Sequence, residues 1–216
     1  MKRLPSQAGK FYRSTSFYFA ILWFCASSLP LAVPASAQSR AITLPRNLGE
    51  LVSESQVVVQ GWITSVTLEA HEQLKNLMTV VVTLQVEETL KGENLKTLTF
   101  RQAVIDKRDQ QQYLGYRTGQ HVLLVLISPS RFGLASPAGM EQGRFRIEAG
   151  GEGKLLATNG FGNAGLFRGL ESQLQARGLR VTAEVHEMIT KPPTGPVSLE
   201  QLKSLIRTIA AADSTK

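Results

Sequence analysis

The chain is 216 residues long, 43% hydrophobic and 19% charged, with one cysteine and a net charge of +7. That length suits a single domain with a sizeable core, and a lone cysteine excludes a disulfide scaffold. Four of the positive charges (Lys2, Arg3, Lys10 and Arg13) fall in the first 37 residues, which hold no acid; the remainder carries only +3, with no basic stripe of the kind that reads nucleic acid.

Residues 1–37 read as a secretory signal peptide. A cationic start is followed by an apolar middle at residues 17–26 (FYFAILWFCA) and by Ala35-Ser36-Ala37, an A-x-A cleavage site. The apolar run is about half the roughly 20 residues a spanning helix needs, and Ser27, Ser28 and Pro30 break it. Cleavage after Ala37 is expected to leave 179 residues, 216 less 37, with no cysteine, because Cys25 lies in the peptide. Leu22-Trp23-Phe24 lacks the small residues that precede a lipidated cysteine. The expected destination is the periplasm or the extracellular medium, with no stable membrane insertion after cleavage. A cysteine nucleophile and a cysteine-bound metal are thereby excluded.

Residues 38–46 read as a flexible start. Asn47 and Glu50 form a capping pair for a short helix over residues 48–52, weakened by Gly49. Residues 57–66 (VVVQGWITSV) are rich in β-branched and aromatic side chains, and residues 78–88 (MTVVVTLQVEE) alternate, with Val80, Val82, Leu84 and Val86 on one face. The polar span 68–77 between them suits a hairpin loop or a single helical turn. Residues 95–102 (LKTLTFRQ) alternate again after the Lys91-Gly92 turn, and residues 122–127 (VLLVLI) are apolar on both faces, as in a central or barrel-lining strand. Further strands are expected at 143–147, with Phe145 and Ile147 on one face, and at 154–158. Residues 166–177 suit a helix in spite of Gly169, and residues 181–189 (VTAEVHEMI) fit either a final strand or a helix.

After the proline and glycine break at 191–197, Ser198 and Gln201 cap a C-terminal helix over residues 198–212. Leu199, Leu202, Leu205, Ile206 and Ile209 form its apolar stripe, opposed by Glu200, Lys203, Ser204 and Arg207. That stripe docks on the sheet or serves a partner. The whole predicts a mainly β, β-dominant α+β fold over residues 47–190, a small antiparallel OB-like barrel or a sandwich, with a short N-terminal helix and a C-terminal amphipathic one.

Three stretches resemble a pattern in uncharacterised exported bacterial proteins. Val58-Val59-Gln60-Gly61 matches a "Val-Val-x-Gly" strand, Leu90-Lys91-Gly92 a "Leu-Lys-Gly" turn, and Gln142-Gly143-Arg144-Phe145 a later strand. The likeness spans roughly residues 48–148 and implies a fold and a compartment, with no activity. A weaker similarity is to netrin-like barrels, including tissue inhibitors of metalloproteinases. Those inhibitors place an N-terminal cysteine on the protease metal, which the cleaved chain would lack.

Several motifs suggest chemistry and are set aside on context. Gly160-Phe161-Gly162-Asn163-Ala164-Gly165 matches G-x-G-x-x-G, with Glu184 19 residues beyond Gly165, yet no parallel βαβ pattern surrounds it, so a turn is expected. His186-Glu187 begins an H-E-x-x-H helix, but position 190 is Thr190, and His71, His121 and His186 are far apart in sequence. Ser136 precedes Pro137 and lacks the nucleophile-elbow spacing, and Asp106, Asp109 and Asp213 are the only aspartates for a triad. Glu87 and Glu88 should project to opposite faces of a strand as solvated charge. Of Trp62, Phe100 and Phe145, at least two should be core.

No catalytic, cofactor-binding or metal residue is therefore assigned. The expected function is an exported, non-enzymatic protein-binding or interaction module of the bacterial cell envelope, its partner another envelope or secreted protein. The alternatives are an exported hydrolase with His121 or His186 as base, and a structural surface protein that assembles through β edges.

Overall fold

A computed structural model of the chain describes residues 44–191 and 195–214. These belong to the second of two units, Ile42–Lys216. The expected signal peptide, its cleavage point after Ala37 and residues 38–43 lie outside the described residues, as do Pro192, Pro193 and Thr194 of the break. The described end of the flexible start is anchored: Arg46 N donates to Gln142 Oε1 at 2.7 Å and Gln142 Nε2 donates to Leu44 O at 3.1 Å.

Helix α1 (Leu48–Glu54) starts from the capping pair read in the sequence. Glu50 N donates to Asn47 Oδ1 at 3.0 Å and Asn47 N donates to Glu50 Oε2 at 2.8 Å, which satisfies two otherwise unpaired donors of the first turn. The chain then runs without a loop into β1 (Ser55–Ala70), followed by β2 (Met78–Lys91) and β3 (Thr97–Val104). After the short α2 (Lys107–Gln111) come β4 (His121–Ile127), β5 (Arg144–Ala149) and β6 (Leu155–Asn159). Helices α3 (Leu170–Ala176) and α4 (Ala183–Thr190), the two-residue β7 (Val197–Ser198) and α5 (Leu199–Asp213) complete the order.

All seven strands belong to one antiparallel sheet in the order β3-β2-β1-β4-β5-β6-β7, so the fold is β-dominant α+β. Among the described residues no ladder joins β3 to β7. The outer edge of β3 is covered instead by the loop after β4, where Ala135 N donates to Arg101 O at 2.9 Å. Strand β4 stands at the centre, which explains why its sequence is apolar on both faces. Leu123 and Val125 enter a core shared with the helices, while Val122, Leu124 and Leu126 enter a second core on the other face.

Among the described residues no α-helix contributes a side chain to the second core. Val59, Ile63, Val80, Val82, Leu84 and Phe100 pack against one another, with Tyr116 and Ala135 from loops. Strands β1 and β2 carry three register shifts, irregularities of the kind that bend and twist a strand so that one face can close on itself. The first core lies beneath α1, α3, α4 and α5, with Leu199, Leu202, Leu205, Ile206 and Ile209 fully buried. The C-terminal stripe thus docks on the sheet, each side chain worth about 2 kcal/mol of burial.

Two expectations change and one open alternative is decided. The segment 181–189 takes the helical alternative, over Ala183–Thr190, because Thr182 Oγ1 caps Val185 N and only Val185, Met188 and Ile189 are buried, a helical rather than alternating spacing. The helix expected over 166–177 begins only at Leu170, since Gly169 adopts φ +65° and ends the preceding turns. Lys203, placed on the wet side of α5, is buried through ion pairs with Glu88 and Glu200, each at 2.8 Å.

Candidate functional site

The helices cover only part of their face of the sheet. On β1 that face carries Val58, then Gln60, then Trp62; on the paired β4 it carries Leu123, then His121, with Gln60 opposite Leu123 and Trp62 opposite His121. Val58 and Leu123 lie in the helix-side core, whereas Trp62 is 42% exposed. The polar and aromatic strip is therefore the uncovered continuation of the core face.

A β-bulge adds the fourth residue. Gln60 pairs with Glu88 and Gly61 with Val86, which leaves Glu87 as an extra residue on β2. Strict alternation would send Glu87 and Glu88 to opposite faces, as the sequence suggests. The bulge brings both to the helix-bearing side, where Glu87 meets Trp62 and Glu88 meets Lys203 and Arg207 of α5. Gly61 permits the close approach: a Cβ there would lie 2.2 Å from Gln85 O and 3.0 Å from Val86 Cα.

Glu87 organises the site. Its Oε1 accepts from Trp62 Nε1 at 2.7 Å, and its Oε2 accepts from His121 Nε2 and Gln60 Nε2, both at 2.8 Å. The Trp62 and His121 rings stack with centroids 4.3 Å apart and planes at 12°. Burial would raise the Glu87 carboxyl, but the bonds from Trp62, His121 and Gln60 outweigh it and hold the group below the ordinary carboxylate range. The indole is thereby fixed at its edge by a carboxylate and on one face by an imidazole.

An ionised carboxylate only accepts, which fixes the other groups. Against an ionised Glu87, His121 Nε2 is the protonated nitrogen; it also lies 3.1 Å from Gln60 Nε2, a meeting of two donors that share the Glu87 oxygen rather than a bond between them. The Gln60 atom facing Glu87 must be the amide nitrogen, so Oε1 points the other way, and there it is buried without a hydrogen-bond partner. An acceptor left in that condition costs about 1–3 kcal/mol.

These side chains open into a groove of about 660 Å³, which Ile147, Ala149 and Leu155 also line. The groove offers a rigid aromatic surface and an imidazole oriented by a carboxylate. Such an arrangement can seat a flat or apolar group against the indole or orient a base.

The remaining sequence candidates lie elsewhere. His71 closes the β1–β2 loop, its Nδ1 accepting from Gln73 N and Leu74 N at 3.1 Å while Nε2 donates to Phe132 O at 3.0 Å. His186 is exposed on α4, 3.9 Å from Glu171. Asp106 caps α2, Asp109 lies in its first turn, and Asp213 pairs with Arg177 at 2.5 Å. Among the described residues no three His, Cys, Asp or Glu side chains are placed to hold a metal ion.

The G-x-G-x-x-G stretch forms consecutive turns pinned by Asn163 (φ +60°), whose Nδ2 donates to Ala157 O at 2.9 Å and Gly195 O at 2.8 Å. Phe100 and Phe145 are core. No family model, curated protein or solved structure matches this chain.

Proposed function

We propose that the chain is an exported, non-enzymatic protein-binding module of the bacterial cell envelope, and that the groove beside Trp62 is its recognition surface. The observation that carries this reading is an exposed tryptophan held rigid on two sides, by the His121 ring and by Glu87. Aromatic side chains fixed before binding lose little entropy on contact and are favoured anchors at interfaces. The reading of residues 1–37 as an export signal supports the compartment, and the likeness to exported bacterial proteins rests on residues that build the scaffold. Gly61 admits the bulge, Gly92 turns at φ +93°, and Gln142 anchors the N-terminal segment. Affinity capture with the protein from its own exported fraction tests the reading. One envelope or secreted protein returned repeatedly supports it, and no specific partner removes it.

One feature favours a second reading, an exported hydrolase. His121 is bound to Glu87 through Nε2, the geometry of a base oriented by a carboxylate. Any hydrolytic activity of the exported protein would then vanish in His121→Ala; activity unchanged by that substitution ends this alternative.

A further inference from the structure

A separate cavity, of about 290 Å³, adjoins the second core, and we infer that it takes the hydrocarbon chain of a single-chain amphiphile whose head stays in solvent. Val57 of β1 and Leu98 of β3 line it and pack against that core, and the buried Phe100, Leu126 and Ala135, which also line it, belong to the core itself. Gln56, Pro129 and Gly133, all exposed, complete the lining on the solvent side. A cavity that is buried and apolar at one end and wet at the other matches a molecule built in the same way.

Two observations turn the cavity against a polar or charged occupant. Among the described residues the buried side-chain polar atom left without a partner is Gln60 Oε1, and Gln60 does not line this cavity. A polar ligand would therefore give up water with no buried side chain waiting for it. The one charged residue in the lining is Arg101, whose guanidinium is already held by Glu69 Oε2 and Thr79 Oγ1, each at 3.0 Å. Size and wall chemistry then favour a chain over a single ring. An apolar cavity of about 150 Å³ binds benzene, so this one holds on the order of ten carbons, and its core-side walls are aliphatic except for Phe100. The site is also formed before any ligand arrives. Ala135 N donates to Arg101 O at 2.9 Å, Ser130 Oγ accepts from Phe132 N and Leu134 N at 3.3 Å, and His71 Nε2 donates to Phe132 O at 3.0 Å, which together fix the loop over residues 128–135.

The test is an NMR titration of the full chain with octyl, decyl and dodecyl maltoside, each below its micellar concentration, and with maltose as the head alone. The Leu98 and Leu126 methyl peaks, assigned by their loss in Leu98→Ile and Leu126→Ile, report on the cavity. The Trp62 indole N–H peak, assigned by its loss in Trp62→Phe, reports on the groove. Decyl maltoside should move the methyl peaks with a dissociation constant of roughly 0.1 mM and leave the indole peak in place. Affinity should rise by about fifteenfold from octyl to decyl and by much less from decyl to dodecyl, because the cavity is then full. Maltose should move neither set. Leu98→Trp, which fills the cavity from a half-buried position, should weaken decyl maltoside binding by about tenfold or more. Val57→Phe fills it independently from β1 and serves if the first variant fails to fold.

Equal affinity for the three chain lengths overturns the inference, as does a methyl shift with maltose alone or a moving indole peak beside still methyl peaks. Wild-type affinity in folded Leu98→Trp or folded Val57→Phe overturns it as well. Decanoate and decanoyl-lysophosphatidylcholine separate the two sources of such a chain, a free fatty acid and a single-chain lipid. Binding of either at the methyl peaks supports the inference and names the source, and binding of neither overturns it.

Discussion

Trp62 and His121 face each other across β1 and β4 as a register pair, their rings stacked 4.3 Å apart, and both donate to the same carboxylate, Glu87. Three residues from three strands thereby hold one exposed indole in a fixed position.

Glu87→Gln should loosen that arrangement without unfolding the chain. A glutamine retains one carbonyl for Trp62 or His121 and turns an NH2 toward the other donor. The half-exposed position limits the loss to about 1 kcal/mol. The Trp62 indole N–H peak should move upfield and its emission should become that of a more mobile, more hydrated ring. An unchanged peak would show that Glu87 does not hold the indole.

The same carboxylates give a pH dependence of defined sign. Burial opposes ionisation of Glu87 and Glu88, but hydrogen bonds from Trp62, His121 and Gln60 to the first, and from Lys203 and Arg207 to the second, hold both below their ordinary value of 4.5. A group lowered in the folded state adds stability that is fully present above its unfolded value and is lost as pH falls through the folded one. Melting temperature should therefore drop as pH falls below about 4.5, and less steeply in Glu87→Gln and Glu88→Gln. An identical slope in wild type and variants would contradict this.

Gly61→Ala tests the bulge. Its Cβ would enter the backbone of β2 at 2.2 Å from Gln85 O, so the strands must separate, at about 1–3 kcal/mol or more. Gly151→Ala, with open space around the new methyl, should be close to neutral. Urea unfolding of the two variants measures the difference, and equal stability would mean that β1 and β2 do not approach so closely.

The scaffold was legible where local chemistry decides it. Asn47 with Glu50, Ser198 with Gln201, and the alternation of Val80, Val82 and Leu84 specify their elements almost without tertiary help. Residues 181–189 stayed ambiguous between strand and helix because the segment is short and apolar at several spacings. The site was visible only in pieces: His121 as a base candidate, Trp62 as an aromatic, Glu87 as solvated charge. Their meeting depends on cross-strand register and on one extra residue in β2, and no period-two pattern carries that information. Gly61 inside an otherwise β-branched strand was the one local sign of a bulge.

Glu88→Gln should weaken the attachment of α5 to β2. Lys203 would keep only Glu200, and a largely buried ammonium with one partner fewer costs about 1–2 kcal/mol, less than for a fully enclosed pair. Leu202→Ala, in the same helix, should cost about 2–5 kcal/mol. Chemical denaturation reads both; a near-neutral Leu202→Ala would mean that α5 is not packed into the core.

Asn163→Ala should cost about 2–4 kcal/mol, because the carbonyls of Ala157 and Gly195 and the N–H of Asn159 lose their partner together. The G-x-G-x-x-G stretch serves this pinning, so thermal stability should not rise with added NADH. A concentration-dependent rise would restore the nucleotide reading.

The claim that the groove is the recognition surface is tested most directly by comparing two exposed-residue variants in capture from the exported fraction. Ile105, 92% exposed and outside the groove, serves as the control. The account predicts that Ile105→Ala retains the partner of the wild-type protein and that Trp62→Ala loses it. Retention of that partner by Trp62→Ala at wild-type yield would contradict the account.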